Sequence, residues 1–176
     1  MTLMGLPFVK HPAKDEKNPP DALSPGEYAE KSALYKAEAV AADMSSELAP
    51  DDVVIGADTI VYLDGRVIGK PKDEADAYAI LSAMSGRTHT VFTGYALIRG
   101  ERTITGFVET CVEFRDLTDE EIRAYIATGE PMDKAGAYGV QGRGCILVKK
   151  IVGDYFNVIG LPAYTIYDEL KNIGAL

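Results

Sequence analysis

Cysteine is scarce in this sequence. Cys111 and Cys145 are the only two, and they form no close-spaced metal or redox pair. Nothing at the N-terminus reads as a charged region followed by a signal-peptide core, so the expectation is a reduced, cytoplasmic protein. Long hydrophobic runs are missing too. None approaches the roughly 20 residues that span a bilayer, and no membrane partner is expected. Basic residues are outnumbered, with 18 Lys and Arg against 27 Asp and Glu, a formal net charge of −9. A protein that tracks DNA or RNA phosphates needs an extended basic face, so no nucleic-acid partner is expected either. A small anionic substrate stays open. Binding it against the field of the whole protein would take a local island of Lys or Arg together with a metal. Repeats, linkers and low-complexity stretches are also lacking.

What is present reads as an ordinary globular chain. Apolar residues make up 47% and charged residues 26% of 176 positions, enough to bury one core as a single domain, alone or as a homodimer. The first 23 residues carry Pro7, Pro12, Pro19 and Pro20, which break any helical period. A helix then opens at Ser24, Pro25 and Glu27 in capping-box spacing and runs to about Met44. Asp64 and Gly65 between two apolar runs predict a hairpin, and a second helix covers Asp73 to about Ser85, stopped by Gly86. Thr88 to Ile98 and Arg102 to Phe114 predict two long antiparallel neighbours. Thr118 and Glu121 make another capping box, opening a helix that Gly129 and Pro131 end. Gly153 and Asp154 predict a further hairpin, and Pro162 opens a C-terminal helix. The sum is an α/β fold around one mixed, twisted sheet flanked by helices.

Four polar segments can carry chemistry. Asp58 ends the apolar run Val53 to Ala57, where a carboxylate can hold a metal or activate water, though Asp and Thr at strand ends often satisfy backbone donors only. Gly69, Lys70, Pro71 and Lys72 lead into a helix N-terminus and form either a phosphate cradle or solvated surface. Ser85 to His89 is a third cluster, in which His89 sits inside an alternating strand and reads as a core residue rather than a general base. The densest run is Gly129 to Gly144, where five glycines bring backbone close to something. Asp133, Lys134, Gln141 and Arg143 add charge and one amide able to read a base edge.

Several of these segments occur together in a family's order. Lys36 and Ala37 ahead of Glu38, Gly56 to Thr59, Gly69 to Pro71, Ser85 to Thr88, Thr93 and Gly94, Tyr125 to Gly142, and Gly153 to Pro162 resemble the Maf family of nucleoside triphosphate pyrophosphatases. The resemblance implies a Maf-like fold related to that of inosine triphosphatases. It implies hydrolysis of a nucleoside triphosphate between its α- and β-phosphates, with a divalent cation, Mg2+ or Mn2+, as cofactor. It casts Asp58 as proton acceptor or metal ligand, Lys36, Lys70 and Lys134 as phosphate contacts, and Thr59 and Gln141 as positions tied to base choice. The segment around Gln141 is similar to the pyrimidine-preferring members that act on dTTP and UTP. One departure stands out: Met4 to Phe8 already matches a stretch that in the family follows a strand and a Ser-x-x-Arg-Arg type phosphate-binding turn. By that comparison the first strand and its turn are expected to be lacking, and Asp15 and Glu16 to match an acidic pair. The alternative reading is a nucleotide-binding regulatory protein without turnover, linked to cell-division control.

Overall fold

The computed structural model describes residues 1–176 apart from 2, 3, 15, 16 and 21. Asp15 and Glu16, the expected acidic pair, thus lie outside the described residues. Helix α1 (Pro25–Asp43) starts at the predicted cap, where the Glu27 N–H donates to Ser24 Oγ and the Ser24 N–H returns to Glu27 Oε2 at 2.9 Å. Strands β1 (Val54–Leu63) and β2 (Arg66–Ile68) flank Asp64 and Gly65, both at positive φ as a two-residue hairpin requires. Helix α2 (Glu74–Met84) is capped by Asp73, β3 (Thr88–Arg99) and β4 (Arg102–Phe114) form the long hairpin, and α3 (Asp119–Ile126) is capped by Thr118. Three short 3-10 turns, at Glu130–Asp133, Ala135–Ala137 and Arg143–Leu147, lead to β5 (Val148–Val152). Helices α4 (Tyr155–Val158) and α5 (Ala163–Asn172) complete the chain.

The strands make one five-stranded sheet in the order β2-β1-β3-β4-β5. The α/β class is as expected, but the sheet is antiparallel throughout rather than mixed. Three of its four strand pairings join strands consecutive in sequence. A second correction concerns Gly153 and Asp154, which start a helical turn and not a hairpin. Asp154 caps α4 by accepting from the Phe156 N–H at 2.7 Å. The buried Asn157 then donates to Val91 O and Thr110 Oγ1, bonds that an extended strand would not place.

The chain clusters into two compact units. The first comprises Met1–Asp58, Thr93–Val108 and Gly160–Leu176. Its helix α1 buries Ala29, Ala33 and Ala37, none more than 1% exposed, and such small side chains let a helix lie close to a sheet. Leu97, Ile166, Leu170 and Ile173 form its other core around α5. Arg99 and Arg102 close the C-terminal end of α5 by donating to Ile173 O, a favourable place for cations. The second unit comprises Thr59–Phe92 and Glu109–Ile159, with Leu81, Met84, Val91, Phe114, Ile122 and Leu147 at its centre. Ser85, Gly86 and Arg87 belong to that packing. The Gly86 N–H reaches Arg115 O, Ser85 Oγ accepts from the Leu117 N–H, and Arg87 grips both oxygens of Asp64.

His89 is a core residue of the second unit, as its strand position suggested. It is 2% exposed, its Nε2 lies 2.8 Å from Tyr138 Oη, and its ring packs edge-on against Phe114. Burial lowers its pKa from 6.5 to about 4. Between those values the unfolded chain binds a proton that the native chain refuses. Stability is therefore complete above about pH 6.5 and falls as the pH drops towards 4. Between pH 7.5 and 4.5 this one group should remove roughly 2 to 3 kcal/mol of unfolding free energy. Urea denaturation of the wild type and His89→Gln at both pH values checks this: the variant should lack that increment, and equal acid losses would refute it.

Candidate active site

Asp58 ends the first segment of the first unit and lies on β1, on the same face as Val54 and Gly56. That face meets α1. A Cβ on Gly56 would collide with Ala33 O and come within 2.9 Å of Ala37 Cβ, and one on Gly94 of β3 would collide with the Ala29 carbonyl group. Only bare backbone on the two strands lets α1 come so close. The consequence is that Lys36, on α1, donates from Nζ to Asp58 Oδ1 at 2.6 Å across 22 positions of sequence. Both side chains keep some contact with solvent, at 26% for Lys36 and 17% for Asp58. An ion pair partly open to water is worth little to stability but fixes a carboxylate's position.

The second unit carries the other expected residues. Thr59 is half-buried on β1, on the same face as Val61 and Leu63 of the core. Val61 supports the turn Ala135–Ala137, since a Cβ on Gly136 would come within 2.8 Å of Val61 Cγ2. The Gly136 N–H donates to Gly69 O at 3.0 Å, which ties the Lys70 loop to the turn that follows Lys134. Lys70 is exposed, and Lys134 pairs with Asp133 at 2.6 Å. The Lys134 hydrogen bond chiefly, with a weaker contribution from Lys70, holds the Asp133 carboxyl below the usual carboxylate range. Two ammonium groups and one carboxylate thus gather on exposed loops, where an anionic ligand could replace the carboxylate as partner of either lysine. Gln141 is exposed on the loop between the second and third turns.

Glu130 is the residue that sequence reading missed. Its carboxylate accepts from Tyr125 Oη at 2.9 Å, the Arg143 N–H at 2.8 Å and the Gly144 N–H at 3.1 Å. Burial pushes this carboxyl up, but the backbone donors of Gly144 and Arg143 outweigh it, and the group ends below the ordinary value. The only sequence signal was an acid next to Pro131 at the entrance of a glycine-rich run. Among the described residues no group of three or more His, Cys, Asp or Glu is placed to hold a metal ion. A cation at Asp58 would therefore have to complete its shell from other oxygens.

Comparison with known proteins adds the family. A family model described as "Maf-like protein" matches residues 1–173. This chain belongs to the Maf family. The Maf chain is also 48% identical over 173 residues to a dTTP/UTP pyrophosphatase of Moorella thermoacetica, covering 97% of this chain and 87% of that protein. It is 47% identical to the dTTP/UTP pyrophosphatase of Symbiobacterium thermophilum, with 97% and 86% covered. The protein of the same name from Dictyoglomus turgidum is 45% identical, with 97% and 88% covered. Among the described residues, no helix of the Maf chain is long and apolar enough to cross a membrane.

Proposed function

We propose that this chain is a nucleoside triphosphate pyrophosphatase that hydrolyses dTTP and UTP to the monophosphate and pyrophosphate. The observation that carries the reading is the Lys36–Asp58 pair, a fixed carboxylate held at the edge of solvent by a cation, in a chain of this family. Water adds across the α–β phosphoanhydride. Asp58 takes its proton, and Lys36 stays beside the carboxylate to hold it in place and to meet phosphate charge. Lys70 and Lys134 offset the remaining charge of the triphosphate, while Thr59 and Gln141 face the choice of base.

A divalent cation fits this donor set. Among the described residues Asp58 would hold it, with phosphate oxygens and water completing the shell, a usual arrangement for Mg2+. When bound, the ion supplies neutralisation of charge on the phosphates. The two free and exposed thiols, Cys111 and Cys145, suit a reducing cytoplasm.

The first test is release of pyrophosphate from dTTP and UTP in the presence of Mg2+. Stabilisation by nucleotide with no product would instead favour a binding protein without turnover. The second concerns Gln141, whose amide donates and accepts at once and can pair with the adjacent carbonyl and N–H of uracil or thymine. Gln141→Ala should lower the kcat/KM preference for UTP and dTTP over ATP and GTP by about 10- to 100-fold, as expected when a matched polar pair is lost. Equal slowing of all four nucleotides would mean that Gln141 only braces its loop.

A further inference from the structure

The loop that carries Gln141 has little to hold it from within. Its one internal backbone bond runs from the Gly142 N–H to Gly139 O at 3.3 Å, at the long end of hydrogen-bonding range. It is held instead at both ends by two side chains of the preceding segment. Glu130 Oε2 takes the Arg143 N–H, Glu130 Oε1 takes the Gly144 N–H, and Tyr125 Oη takes the Gly139 N–H at 3.1 Å while donating to Glu130 Oε1. Tyr125 is 3% exposed, so its hydroxyl meets the loop and Glu130 from within the core, while Glu130 itself is half-buried.

The glycines of the loop fit around that pair of side chains. A Cβ on Gly142 would lie 2.6 Å from Glu130 Cδ, and one on Gly144 would lie 2.7 Å from Tyr125 Oη. A Cβ on Gly139 would lie 2.7 Å from Lys134 Cε. The close approaches that glycine permits here are thus to Glu130, Tyr125 and Lys134, and at Gly144 also to the Gly139 backbone. With both oxygens engaged by loop and tyrosine donors, Glu130 is placed to shape the loop and not to contact a phosphate.

We infer that Glu130, through Tyr125 and the backbone of residues 139–144, is a positioning residue that sets nucleobase selectivity by fixing where Gln141 is presented. This rests on the base-reading role of Gln141 given above. An amide at position 130 keeps the size but turns one acceptor into a donor, which then faces a backbone N–H. Tyr125→Phe removes only the hydroxyl and leaves both acceptor oxygens for Arg143 and Gly144.

The test compares the wild type, Glu130→Gln, Tyr125→Phe and Gln141→Ala by kcat/KM for UTP and GTP, with amide hydrogen exchange of residues 139–144 on the same samples. Glu130→Gln should lower the UTP-over-GTP ratio by about 10-fold or more, chiefly through UTP, and speed exchange at 143 and 144 by a similar factor. Tyr125→Phe should shift both readouts in the same direction by less, with exchange speeding first at 139. Both variants should bind inorganic pyrophosphate within about 3-fold of the wild type, since Lys70 and Lys134 remain. Should Glu130→Gln fail to fold, the smaller Tyr125→Phe effects carry the test. A ratio altered by Gln141→Ala but not by the other two overturns the positioning role alone. A ratio altered by none of the three overturns the base-reading role and the inference with it, and uniform slowing on both nucleotides assigns Glu130 to stability only.

Discussion

Asp58→Asn is expected to lower turnover of dTTP and UTP by at least ~100-fold while leaving the chain folded. The amide matches the carboxylate in shape, and its carbonyl can still accept from Lys36 Nζ where Oδ1 does now. What it loses is charge. It cannot take a proton from water near neutral pH, and it is a poorer donor to a divalent cation. The stability cost should be small, because the pair is partly exposed and Lys36 can turn its ammonium group to water. Steady-state release of pyrophosphate together with thermal unfolding measures both. A variant with near-normal turnover would remove Asp58 from the reaction, and one that loses activity only where it also unfolds would assign it to structure.

Elements with a local chemical signal were legible in the sequence. The capping boxes at Ser24 and Thr118 form as read, and so does the hairpin at Asp64 and Gly65. Gly153 and Asp154 misled for a physical reason. The same dipeptide that turns a hairpin also serves as a helix entrance when Asp154 caps, and the partners of Asn157 that favour helix lie 66 and 47 positions away. Four of the five glycines in the run are pressed close to something, as read, with Gly142 against Glu130 and Gly144 against Tyr125, while Gly129 meets nothing within 4 Å. Composition alone does not say which side of a loop the close contact is on.

The site was legible in a similarly uneven way. Asp58 could be singled out as a carboxylate ending an apolar strand. Its partnership with Lys36 could not be read from spacing, because it depends on how near α1 comes to the sheet. That distance is set by residues with no polar chemistry at all. Gly56 and Gly94 on the strands and Ala29, Ala33 and Ala37 on the helix form the contact, and none of them would draw attention in a search for catalytic groups.

Gly56→Val should accordingly damage both stability and activity, and the two losses should share one cause. A Cβ at this position would run into Ala33 O and lie 2.9 Å from both Ala37 N and Ala37 Cβ, which are backbone or the first atom of a side chain and cannot swing away. The backbone at Gly56 is not among the positive-φ positions, so the cost comes from space and not from conformation. Room can be made only by moving α1 off β1, which uncovers alanines now at most 1% exposed. Overpacking of this kind typically costs 1–3 kcal/mol, and two further methyl groups against backbone place this variant at about 3 kcal/mol or above. Movement of α1 also carries Lys36 away from Asp58, so any fraction that remains folded should turn over more slowly than its concentration predicts. Gly56→Ala should show the same two effects at smaller size. Urea denaturation and kcat per folded molecule measure them separately. Full stability with normal turnover in Gly56→Val would show that α1 does not need its close approach to β1 to bring Lys36 onto Asp58.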